Sequence, residues 1–310
     1  MLIATHNGSF HADDVFAVAV LLFMYPSSKV IRTRDQSIID SADFVVDVGQ
    51  IYDPSKSRFD HHQKGGAGIH EQTGFRKSSI GLIWDHYGLG MVTQLHGETD
   101  STKNDTNFLR KVWERVNWNL IQIIDAGDTG AKITESLYDG VQPYTVSQII
   151  SNFNPVWDCP AKNFDLAFTV ATSFAEAFLI NEIDAARSVI LAKDKVLGYI
   201  DKAQAKNSKV IVFDTHLPWI GTLIKATYDE LYVVYPSEND DWRIQCIPDA
   251  PSSFGKRKAL PQAWAGASAE ELNKLINIED AVFCHTARFI AGAKSYESIM
   301  KMAEIAITGE

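Results

Sequence analysis

The sequence predicts an α/β protein in which a mostly parallel sheet forms an N-terminal domain and a smaller α/β domain follows. Residues 1–6 and 44–48 are short, nearly all-apolar runs, as is typical of buried parallel strands. Apolar stretches long enough for helices, such as residues 13–24, alternate with these runs. The length of 310 residues exceeds what one core usually organises. We therefore expect domains at residues 1–190 and 205–310.

The first domain begins with a strand–loop–helix unit. Residues 1–6 form the strand and residues 13–24 the helix, and Asp13 and Asp14 suit the positive N-terminal end of that helix. This order places polar side chains at the carboxyl end of a strand, where open α/β sheets bind ligands. Further strands are expected at residues 30–33, 44–48 and 58–62, and further helices at residues 79–87 and 108–124.

The second half of the chain changes character. Residues 163–204 are predicted as two amphipathic helices that bridge the domains, since they carry apolar residues at helical spacing. Ser268 and Glu271 fit a capping box at the start of a later helix. Strands are expected at residues 209–213, 231–235, 242–247 and 281–284, with a hairpin between the second and third, and helices at residues 269–276 and 295–307.

Composition limits the class of protein. The formal net charge is −10, and residues 251–310 are neutral, so the excess of acid lies in the rest of the chain. This balance excludes a general nucleic-acid coat protein. The three cysteines are far apart in sequence, which favours a reducing compartment. No signal peptide and no bilayer-spanning run is recognised, so a cytoplasmic protein without membrane association is expected.

Histidine and aspartate are concentrated at the ends of the predicted strands. His6, His11 and Asp13 follow the first strand, Asp47 ends the third, and His61 follows the next extended segment. Mixed imidazole and carboxylate donors suit Mn²⁺, Zn²⁺ or Mg²⁺. No thiol lies near them in sequence, so a closed structural zinc site is not expected. Aspartate can bridge two ions, and paired ions suit phosphoester hydrolysis.

Two roles within this cluster have alternatives. Asp60 either binds metal or orients a neighbouring imidazole. Asp125 and Asp128 lie at the predicted exit of the helix over residues 108–124, where a carboxylate is electrostatically unfavourable unless a cation is near. Either could bind metal or belong to a simple turn, and we favour Asp125.

Groups that could bind substrate lie in both halves. A glycine-rich segment, residues 65–68, is either a flexible flap with cations beside it, Lys64, Arg76 and Lys77, or a plain surface loop. Trp219, Trp242 and Trp264 either stack on bases or pack in the core. In the second domain, the expected substrate-binding residues are Arg243, Arg257, His285, Arg288 and Lys294, each of which could instead be a solvated surface charge. Residues 283–294 combine several of these cations with a glycine turn before a predicted helix, and helix N-termini bind phosphate.

Several blocks in order give the chain a family resemblance. They are Thr-His-Asn-Gly-Ser-Phe-His-Ala-Asp (residues 5–13), Asp-Val-Gly (47–49), Phe-Asp-His-His-Gln (59–63), Lys-Ser-Ser-Ile-Gly-Leu-Ile-Trp (77–84), Ile-Asp-Ala-Gly-Asp (124–128), and residues 256–266 and 285–292. In these the chain resembles the melanocyte-proliferating-gene (MYG) exonuclease family within the DHH phosphoesterase superfamily. The resemblance departs from that superfamily at His11, where aspartate is usual.

The resemblance implies a DHH-type N-terminal domain with a dinuclear, usually manganese, centre and a C-terminal substrate domain. It also implies 3′–5′ exonuclease activity on RNA. His62 would face the phosphate. Asp60 is predicted, apart from the resemblance, as a second catalytic residue beside His62. The implied metal ligands are His6, His11, Asp13, Asp47, His61 and Asp125.

The sequence thus predicts a metal-dependent phosphodiesterase that acts on single-stranded RNA or a short oligonucleotide. One alternative is a small-molecule or short-oligonucleotide phosphoesterase or pyrophosphatase with the same centre, which the acidic charge balance favours. Another is a non-catalytic regulatory protein whose metals only brace the fold.

Overall fold

The computed structural model describes residues 1–97, 105–226, 229–251 and 253–309. The chain divides into two compact units, Met1–Arg187 and Ser188–Glu310. Each has a mixed five-stranded sheet, so the predicted α/β class is confirmed. The three cysteines are free.

The sheet of the first unit is parallel except at one edge. Its strands are β1 (Leu2–Thr5), β2 (Lys29–Arg32), β3 (Phe44–Val46), β4 (Tyr52–Asp53) and β5 (Arg58–Phe59). The order is β2-β1-β3-β5-β4, and only β4 runs antiparallel to its neighbour. The carboxyl ends of β1, β3 and β5 therefore lie side by side, as the sequence predicts.

Eight α-helices begin within the described residues of the first unit, and the last of them continues into the second unit. They are α1 (Ala12–Met24), α2 (Gln36–Ser41), α3 (Ser79–Ile83), α4 (Leu89–His96), α5 (Thr106–Val116), α6 (Gln122–Asp128), α7 (Val146–Ser151) and α8 (Phe164–Ala205). The π-helical turn Trp84–Gly88 joins α3 to α4, and Asn117–Ile121 joins α5 to α6. For the helix predicted over residues 108–124, the predicted end is therefore wrong, because helical structure continues to Asp128.

Helix α1 positions the first polar cluster. All its residues from Ala12 to Leu21 are buried, as expected of a helix that is apolar on every side. It packs against α3, α6, α7 and β3. This packing brings its acidic first turn beside the start of α3 and the end of α6.

Helix α8 corrects the prediction of two helices over residues 163–204. It is one helix of 42 residues. No proline occurs in it, and its only glycine, Gly198, comes late, so nothing in the sequence ends a first helix. By length and composition alone it could cross a membrane, but one such helix is weak evidence, because core helices of soluble proteins pass the same test.

The second unit encloses its sheet between helices. Its strands are β6 (Val210–Val212), β7 (Tyr232–Pro236), β8 (Trp242–Cys246), β9 (Ala281–Cys284) and β10 (Ile290–Ala293), in the order β6-β7-β8-β10-β9. Alternate residues of β7 face two cores: Tyr232 packs with α11 (Tyr296–Thr308), and Val233 with the end of α8. The hairpin of β7 and β8 is confirmed. Helices α9 (Ile220–Ala226) and α10 (Ala269–Ile276) complete the unit.

Candidate metal centre

The candidate centre lies at the carboxyl ends of the parallel strands of the first unit. His6 directly follows β1, Asp47 directly follows β3, and Asp60, His61 and His62 follow β5. The backbone of Asp47 has a φ of 55°, in the left-handed region, so the chain turns immediately after the strand. The loop after β1 and the first turn of α1 supply His11 and Asp13.

Asp47 lies at the middle of the cluster, and its two carboxylate oxygens face different imidazoles. Oδ2 is 3.3 Å from His6 Nε2. Oδ1 is 3.2 Å from His61 Nε2 and 3.4 Å from His62 Nδ1. Burial acts to raise the pKa of Asp47, but the hydrogen bonds from His6 and His61 outweigh it and hold that pKa well below its usual range. Asp47 is therefore ionised and placed where it could bridge two cations.

Asp13 and Asp128 also lie close to His61. His61 Nε2 is 3.6 Å from Asp13 Oδ2 and 3.3 Å from Asp128 Oδ2. Seven side chains converge in three overlapping groups, in each of which the donor atoms lie within 4.8 Å of one another. The groups are His6–His11–Asp47, Asp47–His61–His62 and His11–Asp13–Asp128. All but His62 are among the metal ligands that the sequence predicts.

The electrostatics of these acids favour a bound cation. Burial raises the pKa of Asp13, and the negative charges of Asp47 and Asp128 raise it further. Burial also raises the pKa of Asp128. Within the described part of the chain, the buried Oδ1 of Asp13 has no hydrogen-bond partner. An unpaired buried carboxylate oxygen is costly, and coordination to a metal would satisfy it. The residues present thus fit a divalent metal site.

The imidazole of His6 is oriented for coordination through Nε2. Its Nδ1 lies 3.1 Å from the carbonyl oxygen of Asn7, so a proton on Nδ1 leaves the Nε2 lone pair facing Asp47. Burial lowers the pKa of His6, but its contacts with Asp14 and Asp47 outweigh burial and raise that pKa to about 10. In the metal-free protein a second proton on Nε2 therefore offsets the negative charge of Asp14 and Asp47. A metal cation bound at Nε2 would take over this role.

The sequence predicts only helix capping for Asp14, but the structure also places it in contact with two histidines. Its Oδ1 accepts a 2.9 Å hydrogen bond from the backbone N–H of His11, and its Oδ2 lies 3.2 Å from His6 Nε2. Asp14 therefore touches both histidines of the first motif. The pair of adjacent acids at positions 13 and 14 could have indicated this second role, because capping one helix requires only one acid.

Asp60 contacts protein groups with both oxygens. Oδ1 accepts hydrogen bonds from the backbone N–H of His62 at 3.0 Å and lies 2.7 Å from its Nδ1. Oδ2 accepts a 2.6 Å bond from the backbone N–H of Gln50. Asp60 was predicted either to bind metal or to orient a neighbouring imidazole, and these contacts favour the orienting role. The imidazole of His62 is 55% exposed, so its Nε2 edge can meet a substrate.

Asp125 is placed outside the three converging groups. Its Oδ1 accepts hydrogen bonds from the N–H and hydroxyl of Ser78 at 3.0 and 2.6 Å, and its Oδ2 lies 2.6 Å from His70 Nε2. A Cβ at Gly81 would overlap this carboxylate, so the close approach requires glycine there. Because α6 continues to Asp128, Asp125 lies within the helix and faces the core, while Asp128 in the last turn joins the cluster.

Ser79, the first residue of α3, also contacts the cluster. Its backbone N–H lies 3.3 Å from Asp13 Oδ2 and its hydroxyl donates to Asp47 Oδ1. Ser79 was not among the site residues predicted from the sequence. Its signals were its place in the block of residues 77–84 that carries the family resemblance and a polar side chain at the start of an otherwise apolar helix.

Arg243 makes its contacts with residues of the second unit. Arg243 Nη1 pairs with Asp241 Oδ2 at 2.6 Å, and its guanidinium lies 5.1 Å from the ring centroid of Phe283. The expected glycine turn before a helix in residues 283–294 is wrong. Gly292 lies inside β10, where an added Cβ would approach Arg243 Nη1 to 2.5 Å.

The other predicted substrate-binding residues have mixed surroundings. Arg257 and Arg288 each donate from Nη1 to a backbone carbonyl oxygen, at 3.0 and 3.1 Å. His285 Nδ1 accepts a 3.0 Å bond from the backbone N–H two residues on, and Lys294 is exposed. Their roles in substrate binding stay predictions.

The tryptophans favour the packing alternative. Trp219 and Trp264 are buried, with 3% and 2% of their surface exposed. Trp242 packs edge-on against Tyr296 with ring centroids 4.9 Å apart. The first two therefore offer no face to a base.

Comparison with known proteins identifies the family. The MYG1 exonuclease family model, described as an uncharacterised protein family (UPF0160), matches residues 2–307. The chain belongs to this family. No solved structure matches it significantly.

Family members from distant organisms align over almost the whole chain. The MYG1 protein of Caenorhabditis elegans is 32% identical over 99% of this chain and 95% of its own length. The MYG1 protein of Schizosaccharomyces pombe is 30% identical over 98% and 97%. The human relative, named MYG1 exonuclease, is 29% identical over 97% and 84%. The predicted MYG family is thus confirmed, and placement in the wider DHH superfamily stays a prediction.

Proposed function

We propose that this MYG1-family protein is a divalent-metal-dependent phosphodiesterase that degrades RNA from its 3′ end. The convergence of seven imidazole and carboxylate side chains, with Asp47 shared by two of their three groups, carries the proposal. Relatives named as exonucleases support a nucleic-acid substrate. The choice of RNA and of 3′–5′ polarity follows from the family resemblance of the sequence motifs.

The residues that would hold the ions are His6, His11, Asp13, Asp47, His61 and Asp128. Two ions are proposed, with Mn²⁺ preferred, because nitrogen and oxygen donors are mixed and Asp47 presents one oxygen to each side. When bound, such ions offset charge on the phosphate and supply hydroxide at neutral pH.

The protein's own part in the reaction falls to His62 and Asp60. In hydrolysis, water loses a proton to solvent as its oxygen bonds to phosphorus, the bond from phosphorus to the leaving oxygen breaks, and the leaving oxygen takes up a proton. His62 is exposed on one edge and held by Asp60 Oδ1 on the other, so it can donate this proton. Asp60 fixes the orientation of the ring.

The decisive experiment is product analysis with purified full-length protein. We expect protein supplied with Mn²⁺ to release nucleoside 5′-monophosphates stepwise from the 3′ end of end-labelled single-stranded RNA, and EDTA to stop the release. Labelled DNA, dinucleotides and pyrophosphate are run in parallel. Cleavage of pyrophosphate alone would instead support the small-molecule phosphoesterase, which the net charge of −10 favours.

The matched variants are Asp47→Asn and Asp158→Asn. The first removes the central charge with little change of shape, and the second changes an exposed aspartate of the same unit. We expect the first to abolish hydrolysis and the second to retain it. Full turnover by Asp47→Asn, or bound Mn²⁺ without hydrolysis of any phosphoester, would overturn the proposal.

A further inference from the structure

The loop between β1 and α1 carries His11, one of the proposed metal ligands. Residues 7–9 of this loop are exposed, and Gly8 has a φ of 86°, in the left-handed region. His11 is exposed as well, although its imidazole belongs to two of the three converging groups. An exposed loop keeps a ligand in place only when other parts of the fold hold its backbone, because ordering a backbone costs conformational entropy. Two side chains from outside the histidine and aspartate motifs hold this one.

Arg32, the last residue of β2, holds the loop at Gly8. Its side chain is 3% exposed, and its Nη2 donates a 2.6 Å hydrogen bond to the carbonyl oxygen of Gly8. Its Nη1 lies 3.2 Å from Oδ1 of Asp165, near the start of α8. The guanidinium also lies 4.7 Å from the ring centroid of Phe168 and 5.4 Å from that of Phe10. One buried side chain therefore joins the loop to α8.

Asn154, which follows α7, holds the loop at Phe10. Its Oδ1 accepts a 3.0 Å hydrogen bond from the backbone N–H of Phe10, and its Nδ2 donates a 3.0 Å bond to the carbonyl oxygen of the same residue. The side chain of Phe10 is fully buried and packs edge-on against Phe168, with ring centroids 5.4 Å apart. The residue directly before His11 is thus held through its backbone and through its side chain.

Arg32 also interacts electrostatically with Asp14. Burial lowers the pKa of Arg32, while the negative charges of Asp14 and Asp165 act to raise it. Arginine stays protonated in proteins, so the guanidinium and the two carboxylates attract one another. Asp14 contacts His6 and the backbone N–H of His11. The same arginine therefore acts on the first motif through the loop backbone and through this carboxylate.

We propose that Arg32 and Asn154 are positioning residues that keep residues 7–11 in the conformation in which His11 binds metal. This inference rests on the proposed metal-dependent function. One imidazole nitrogen coordinates one ion, so only the ion bound to His11 depends on the two residues. Within the described part of the chain, neither residue makes a hydrogen bond or ion pair with the other proposed ligands Asp13, Asp47, His61 and Asp128.

The test measures the affinity of each Mn²⁺ site in the full-length protein. Electron paramagnetic resonance reports free Mn²⁺ while metal-free protein is titrated. We expect two sites in the wild type. Arg32→Met and Asn154→Ala should each weaken one site roughly 10-fold and leave the other unchanged. Arg32→Lys keeps the charge but cannot reach both Gly8 and Asp165 with a planar fork, so it should recover only part of the lost affinity.

Two controls separate positioning from a general loss of structure. Arg110→Met changes an exposed arginine on α5, and Asn181→Ala removes an exposed amide that bonds within α8. Both should keep the two wild-type affinities. A fold that is merely destabilised would weaken both Mn²⁺ sites together. Equal weakening of both sites in Arg32→Met and Asn154→Ala, or no weakening of either, would overturn the inference.

Hydrogen exchange of the metal-free protein gives a second readout that needs no metal. Peptides covering residues 7–11 should exchange faster in Arg32→Met and Asn154→Ala than in the wild type, because bonds at Gly8 and Phe10 are lost. Unchanged exchange in both variants would also overturn the inference.

Hydrolysis of RNA by each protein is assayed separately. Selective loss of one Mn²⁺ site without hydrolysis of any phosphoester by the wild type would overturn the proposed function alone. Hydrolysis by the wild type without selective loss in the variants would overturn the inference alone, and a wild type that binds no Mn²⁺ would overturn both.

Discussion

The hydroxyl of Ser79 donates a 3.0 Å hydrogen bond to Oδ1 of Asp47. The backbone N–H of the same serine lies 3.3 Å from Asp13 Oδ2, so the first residue of α3 contacts two predicted metal ligands. Both contacts are buried, and neither partner is near Ser79 in sequence. Ser79 is therefore a positioning residue for the proposed centre.

Replacing Ser79 with alanine should weaken Mn²⁺ binding about 10-fold, because residues that hold metal ligands have effects of this size. Ser79→Thr keeps a hydroxyl and should recover part of the affinity. Calorimetric titration measures both, and circular dichroism checks the fold. Ser173→Ala, which removes an exposed hydroxyl bonded only within α8, should bind Mn²⁺ as the wild type does. Equal affinity in Ser79→Ala would refute the positioning role.

Metal removal should destabilise the first unit. A ligand that binds only the folded state adds about 2.7 kcal/mol to the free energy of unfolding at 100 times its dissociation constant. We expect Mn²⁺ to produce a rise of this size in urea denaturation after dialysis against EDTA. The rise should disappear in Asp47→Asn and persist in Asp158→Asn. An unfolding midpoint indifferent to Mn²⁺ in the wild type would argue against a metal in this cluster.

Substitutions at Asp125 and Asp128 should have different effects, the first on folding stability and the second on metal affinity. Asp125→Asn disturbs a carboxylate that contacts Ser78, Gly81 and His70, so the free energy of unfolding should fall by about 3 kcal/mol. Asp128→Asn should reduce Mn²⁺ affinity at least 10-fold while metal-free stability is kept, since one charge beside Asp13 is removed. Urea denaturation in EDTA and Mn²⁺ titration of both variants show which of the two aspartates binds the metal. The reverse pattern would restore Asp125 as the ligand.

Asp280 should make the second unit sensitive to acid. Burial acts to raise its pKa, but hydrogen bonds from Ser298 and Ser295 outweigh burial and lower it. A carboxyl with a depressed pKa in the folded state stabilises the fold above its unfolded pKa, and this is lost as pH falls through the folded value. The wild type should therefore exceed Asp280→Asn in stability near pH 7, with the difference fading below the ordinary value of 3.8. Urea midpoints across this range test it, and a constant difference would contradict it.

Much of the fold of the first unit was predictable because its strands are apolar and short and its polar residues stand directly after them. The predicted strand at residues 44–48 corresponds to β3, and Asp47 is where a parallel sheet would place a ligand. The elements that were missed are short. Helices α2 and α7 have six residues each and depend on side-chain caps from Asp35 and Thr145 more than on periodicity.

The predicted site residues were found by type, and the missed ones act through contacts distant in sequence. His6 and His61 are conspicuous as imidazoles beside strands. His70 is equally conspicuous by type, but its contact with Asp125 joins residues 55 positions apart. Ser79 contacts Asp13 across 66 positions. No local pattern signals such pairs, because they depend on how α1, α3 and α6 pack.

The left-handed backbone at Asp47 restricts which amino acids can occupy that position. Among residues other than glycine, asparagine, aspartate and histidine enter this conformation most readily. The position also requires a negative charge short enough to reach imidazoles on two sides. Asparagine enters the left-handed conformation but carries no charge. Glutamate carries the charge but enters that conformation less readily. We therefore expect evolution to exchange histidine and aspartate at other ligand positions while leaving this one invariant.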